Sequence, residues 1–223
     1  RFDLELISVE RTLAPAAGND SSLNRSAVTF SRIMERYELW LTGQLSGTKT
    51  PRFEQKTAIE LLQVTGLFDR PITAGEFCAL IRSDEPKLFP AAAEVDDDIL
   101  NFVISKLVDY RLLRKVGNVR ISTDLTQMSP FHRRQPVLDT HPLIREYYAA
   151  RMQNSEGVGS IQWNECGRLG HRCLFKYLGD SVSEAPKDLA DLIPLYRAVS
   201  HGCRAGLHSS AFTDILQNKI RQN

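Results

Sequence analysis

The sequence predicts a mainly α protein: a winged helix-turn-helix with a small β-wing, followed by antiparallel helices of the helical-repeat kind. Three observations carry this expectation. Apolar residues recur at helical spacing in successive segments between residues 53 and 110, and short alternating strands follow. A strand at Val137-Leu138-Asp139 then turns straight into a helix. Further on, helical segments carry small residues at Ala198, Gly202 and Ala205, which let neighbouring helices approach closely.

Along the chain, residues 1–29 sustain no period, and Ala14 to Ser22 is a loop by composition. Residues 31–41 read as a helix with Ile33, Met34, Tyr37, Trp40 and Leu41 on one face. A Gly/Ser/Thr-rich break covers residues 43–51. A helix then begins at Phe53, buried over much of its girth through Ala58, Ile59, Leu61, Leu62, Val64 and Leu67. Gly66 suits its C-cap, and Pro71 prevents continuation. Thr73 with Glu76 three residues later is a capping box, opening a helix that carries Phe77, Leu80 and Ile81. Residues 86–90 read as a loop.

The next helix spans about residues 96–110, with Ile99, Leu100, Val103, Leu107 and Tyr110 as its buried stripe. Its acidic first turn matches the helix dipole. Leu112 to Val116 reads as one wing strand and Val119 to Ser122 as a second, across a Gly117-Asn118 turn. Residues 123–136 form an irregular excursion. At the strand-to-helix junction, Asp139 or Thr140 can cap, Pro142 suits the first helical turn, and His141 stands beside the positive end of the dipole. An imidazole there is aimed at an anionic group. Leu143, Ile144, Tyr147 and Tyr148 continue as an apolar stripe. Residues 157–160 mark a second boundary, so the expected domains are 1–50, 51–155 and 156–223. The last region has helices over about residues 163–178, 188–206 and 210–221. The first is expected to bury Trp163, Leu169, Cys173, Leu174, Tyr177 and Leu178; the second contains Leu189, Leu192, Ile193, Leu195, Tyr196 and Val199.

At 223 residues and 42% hydrophobic content, the chain is long enough for one large or two small domains with a sizeable core. Its 28 basic and 27 acidic residues leave a net charge of +1, which argues against a broad nucleic-acid footprint. The four cysteines, Cys78, Cys166, Cys173 and Cys203, lack a disulfide-framework spacing and read as reduced, in an intracellular, cytoplasmic protein. No signal peptide or membrane-spanning run is visible. The chain does not begin with Met and its end falls just after a helical pattern, so a piece of a longer protein is expected.

The run Leu138-Asp139-Thr140-His141-Pro142-Leu143-Ile144-Arg145-Glu146-Tyr147-Tyr148 resembles the end of the winged-helix domain in bacterial STAND-class signalling ATPases, relatives of the NACHT and NB-ARC proteins. Gly66-Leu67-Phe68-Asp69-Arg70-Pro71 and Arg36-Tyr37-Glu38-Leu39-Trp40-Leu41 resemble upstream parts of the same family, in the same order. Residues 198–206 followed by a helix look like a tetratricopeptide-type pair. The resemblance covers about residues 31–222. It implies that His141 meets a phosphate of ADP when an upstream nucleotide-binding domain is attached. Thr140 and Pro142 depart from the Met and Asp that usually flank that histidine. The resemblance also implies ADP or ATP with magnesium in the intact parent, downstream helical repeats as neighbours, and an oligomer on activation. The ATPase core is outside the resemblance: no Gly-x-x-x-x-Gly-Lys-Ser/Thr loop occurs, so this chain by itself is expected to hydrolyse nothing.

Other chemistries fit the residues less well. Cys166, His171, Cys173, His201, Cys203 and His208 are zinc-type ligands, but no Cys-x-x-Cys occurs and positions two apart on a helix face away from each other. Core cysteines and helix-surface histidines are expected instead. No nucleophile elbow or cysteine-protease signature is present. A winged-helix DNA-binding regulator is the main rival. Its reading helix would open with Glu94, Asp96, Asp97 and Asp98, acids facing phosphate charge, while the basic residues gather at Arg111, Arg114, Lys115, Arg133 and Arg134.

Overall fold

The computed structural model describes residues 22–41, 53–83, 88–117, 121–154, 162–182, 186 and 188–221. The chain divides between Ile33 and Met34 into two compact units. Helix α1 (Ser22–Leu41) begins nine residues before the expected Ser31 and crosses that division. In the second unit its Met34 and Leu41 are buried.

The core of the second unit is built on α2 (Phe53–Thr65), whose Leu61, Leu62 and Val64 are excluded from solvent. Two polar side chains tie α2 to a short helix, α4 (Pro90–Glu94), whose first residue the sequence reads as the end of a loop. Glu60 accepts from Ala91 N–H and Ala92 N–H at 3.2 and 2.8 Å, and Thr57 donates to the Ala91 carbonyl at 3.2 Å. Helix α4 has no side-chain cap of its own, so Glu60 serves its free N–H groups from a neighbouring helix. No local pattern encodes that.

Between them, β1 (Ile72–Thr73) leads into α3 (Ala74–Ile81) through the expected capping box: Thr73 caps, and Glu76 reaches back to it. Helix α5 (Asp97–Asp109) is capped by Asp96, whose carboxylate accepts from Ile99 N–H at 2.8 Å. Asp96→Ala should cost about 1 kcal/mol of stability, read from the urea midpoint. A shift below about 0.3 kcal/mol would mean that water caps the helix as well as the carboxylate does. The buried stripe of α5 is Leu100, Val103, Ile104 and Leu107; Ile99 and Tyr110 face outward, contrary to expectation, and Tyr110 stacks edge-on against Trp40 of α1.

The sheet is three-stranded and antiparallel, in the order β1-β3-β2, with β2 at Arg114–Lys115 and β3 at Pro136–Asp139. Arg114 pairs with Asp139, and Ile72 with Leu138. The expected hairpin partner at Val119 to Ser122 is not a strand where it is described. Side chains of α5 occupy its backbone instead: Asn101 accepts from Ile121 N–H at 3.2 Å and donates to its carbonyl at 2.6 Å. Asp97 accepts from Thr123 N–H at 3.1 Å and from its hydroxyl at 2.6 Å. Burial pushes the Asp97 carboxyl up, but the Thr123 and Ser122 hydrogen bonds and nearby Arg82 bring it below its ordinary value. The excursion over residues 123–136 is more ordered than expected. It holds a 3-10 turn at Leu125–Gln127 and helix α6 (Pro130–Arg134), whose cap Ser129 accepts from His132 N–H at 3.3 Å.

After β3 come α7 (Pro142–Arg151) and an antiparallel ribbon of β4 (Gln153–Asn154) and β5 (Gln162–Trp163). The predicted boundaries at 43–51 and 157–160 lie outside the described residues. Helix α8 (Glu165–Asp180) is capped by Asn164 and packs on α3: Cys173 Sγ lies 3.1 Å from the Ala79 carbonyl. Helix α9 (Leu189–Arg204) lies beside it. A last helix, α10 (His208–Ser210), runs on into π-helical Ala211–Arg221, where a plain α-helix is expected. Leu178, Val182, Leu195, Ala198 and Ile215 form the core of this end. Lys219 Nζ donates to the Gly179 and Val182 carbonyls at 2.8 and 3.2 Å, satisfying the end of α8. The small residues act as expected, since a Cβ on Gly202 would meet Ala211 and Phe175 at 2.9 Å. The outer face of α9 is apolar and open: Leu189, Ile193 and Tyr196 are 68%, 40% and 53% exposed. Among the described residues, no helix is long and apolar enough to cross a membrane.

Candidate functional site

Strand β3 is the central strand of the sheet, and its last residues set the direction of α7. Asp139 is buried at that point, with its carboxylate bonded by both Arg114 and Arg145 and accepting from Thr140 N–H at 2.9 Å. Thr140 donates its hydroxyl to the Leu112 carbonyl at 2.6 Å. Both residues expected to cap α7 are therefore engaged elsewhere. The cap is His141 itself: its Nδ1 accepts from Leu143 N–H at 3.3 Å, and its carbonyl accepts from Ile144 N–H at 2.9 Å. An Nδ1 that accepts is unprotonated, so in the neutral ring the proton sits on Nε2. The side chain is exposed, and Nε2 is bonded to none of the described residues. The junction thus presents an exposed imidazole, oriented by one bond from the Leu143 N–H, two residues after a carboxylate that two guanidinium groups share.

Helix α7 is anchored behind this point. Ile144, Tyr147 and Tyr148 are buried, whereas Leu143, expected in the same stripe, is exposed. Arg151 bonds Glu38 of α1 and donates to Tyr147 Oη at 2.9 Å. On the other side, the α7 backbone lies directly over Gly66: a Cβ there would stand 2.6 Å from Ala149 N and 2.7 Å from Tyr148 C. Gly66 does end α2, but its φ is not positive, so close approach and not a left-handed cap explains the residue.

A second cluster was missed by sequence reasoning. His171 and His201, expected on helix surfaces, are 0% and 5% exposed, and their Nδ1 atoms lie 2.9 Å apart. The Trp163 ring stands edge-to-face to His171 at 4.3 Å, and the Phe68 ring to His201 at 6.0 Å. Burial pushes the His171 imidazole down to about 2 and His201 down to about 3, with Arg204 adding to both. A usable signal was present: His171 lies three residues before Leu174 and seven before Leu178, on their face of the helix.

The other candidates do not converge. Of the six zinc-type residues, only His171 and His201 are bonded to each other, and no group of three or more His, Cys, Asp or Glu is placed to hold a metal among the described residues. Cys78 is buried and Cys203 exposed, so the cysteines are not uniformly core. Burial pushes the Cys78 thiol up to about 11 and raises Cys166 as well, which keeps both as thiols. At the start of α5, Asp96 and Asp97 are spent on capping and on Thr123, and its exposed outer face carries Ile99, Phe102 and Lys106. No protein-family model, curated protein or solved structure matches the chain.

Proposed function

We propose that this chain is the regulatory winged-helix and arm region of a STAND-class signalling NTPase. In this reading the three-stranded sheet with α2, α3 and α5 is the winged helix, and α8 to α10 begin a tetratricopeptide-like array. The winged helix packs on a nucleotide-binding domain of the same parent chain and holds an ADP-bound, inactive state. Downstream repeats sense a trigger and shift the balance toward an ATP-bound, oligomer-forming state, a population shift between two packings. The observation that carries the reading is His141: exposed, two residues past the end of the central strand, its ring oriented by the Leu143 N–H, its Nε2 proton left to donate. Bound ADP would supply the phosphate oxygen that accepts it. The DNA-binding alternative is weaker, because the first turn of the would-be reading helix is acidic.

The test is His141→Ala in the parent protein. A hydrogen bond to a charged acceptor contributes about 1.5–3 kcal/mol, so ADP release should rise ~10-fold or more and the parent should become active without its trigger. The isolated chain should lose little stability, because one weak N-cap bond is lost. If the fragment unfolds while ADP retention is unchanged, the histidine is structural and the reading fails.

A further inference from the structure

The His171–His201 pair joins α8 to α9 through a direct imidazole–imidazole hydrogen bond, Nδ1 to Nδ1 at 2.9 Å. Such a bond needs one ring protonated at Nδ1 and the other bare there, so the two neutral rings must be complementary tautomers. The second nitrogen of His171, Nε2, is buried and has no partner among the described residues. Aromatic rings cover the pair from two further elements: Trp163 from β5 and Phe68 from the turn after α2. The charged groups that face it are Arg197 and Arg204 of α9 and Arg70 of the turn after α2, all cationic. Two of those arginines have acids of their own: Glu76 bonds Arg70, and exposed Asp69 lies 3.9 Å from Arg204. No carboxylate bonds either ring among the described residues.

We propose that this pair is an acid-sensitive latch: the α8–α9 contact holds while both imidazoles are uncharged, and proton uptake releases it. An added proton would place an imidazolium in an apolar cage among three guanidinium groups, with no counter-ion bonded to it. Once α8 and α9 separate, each ring meets water and titrates near its ordinary value of about 6.5. The open form therefore binds more protons than the closed form below that pH. The latch is fully closed above about 6.5 and loses stability steadily as pH falls, down to the depressed values of the buried rings. One proton taken up on opening raises the opening constant about 30-fold between about pH 7.5 and about pH 5, and two protons raise it about 1,000-fold.

The experiment is amide hydrogen exchange on the whole chain at those two pH values, compared as protection factors. Helices α8 and α9 should lose about 30-fold or more of their protection, while α2 and α5 change by less than about threefold. The double variant His171→Gln, His201→Leu removes both titrating groups and should abolish the selective loss. Equal loss across α2, α5, α8 and α9 in the natural protein overturns the proposal. So does selective loss that persists in the variant. Should the variant not fold, nitrogen NMR of the imidazoles in the natural protein decides. Two neutral rings of opposite tautomer that do not titrate while α8 and α9 stay closed support the latch, and a ring titrating near 6.5 in the folded state overturns it.

Discussion

Glu76→Ala should destabilise the chain by about 3 kcal/mol, the low end of the 3–5 kcal/mol cost of breaking a buried ion pair from one side. The carboxylate is fully buried and works for two elements. It accepts from the Thr73 N–H at 3.1 Å and from the Thr73 hydroxyl at 2.9 Å, which closes the start of α3. It also holds Arg70, which in turn donates to the Pro71 carbonyl at 2.9 Å, fixing the turn after α2. Removing it leaves an unpaired guanidinium and two unanswered donors. Arg70 keeps 20% side-chain exposure and regains some hydration, hence the lower figure. Glu76→Gln, which keeps an acceptor for Thr73 but not the charge, should fall between. Urea denaturation measures both. A loss below about 1 kcal/mol for the alanine variant would mean that Arg70 simply turns out to water and the ion pair contributes little.

Gly66→Ala should cost about 3 kcal/mol, the upper end for forcing one extra carbon into a packed site. Its two nearest obstacles are backbone atoms of α7, Ala149 N and Tyr148 C, and main chain has no rotamer to yield. Alanine favours helix over glycine by about 1 kcal/mol, which offsets nothing at a position just past the end of α2. Relief requires moving α7, and with it the His141 cap. The variant should therefore show a lowered denaturation midpoint together with shifted NMR resonances at His141 and Leu143. An unchanged midpoint would show that α7 is not seated on Gly66 as described.

The strongest local signals were read correctly from the sequence. The Thr73–Glu76 box, the acidic start of α5, the strand at Val137-Leu138-Asp139 turning into α7, and the small residues of α9 each lie within a few positions of one another. The first three work through backbone groups nearby and the small residues of α9 through the side chains they lack, so spacing alone reveals them. The same locality explains the errors. Val119 to Ser122 alternates as a strand should, but Asn101 and Asp97, 20 and 26 residues away in sequence, take up the backbone groups of Ile121 and Thr123. Helical spacing puts Ile99 and Tyr110 in the stripe of α5 where the structure uses Ile104, because which edge of an apolar face is buried depends on the neighbour. Leu189, Ile193 and Tyr196 are apolar at helical spacing yet open, while His171 and His201 are polar yet buried.

By itself, then, the sequence determined where α3, α5 and α7 start, which residues stop α2, and that His141 stands at a strand-to-helix junction. Those are properties of residues a few positions apart along one backbone. Only the tertiary structure decided that His141 is its own helix cap, because Asp139 and Thr140 are drawn away by Arg114, Arg145 and the Leu112 carbonyl. It also decided that Gly66 is needed for α7 to pass and that two histidines thirty residues apart share one proton between them. Each of these outcomes depends on a partner supplied by another element, and no spacing within a segment encodes which element that will be.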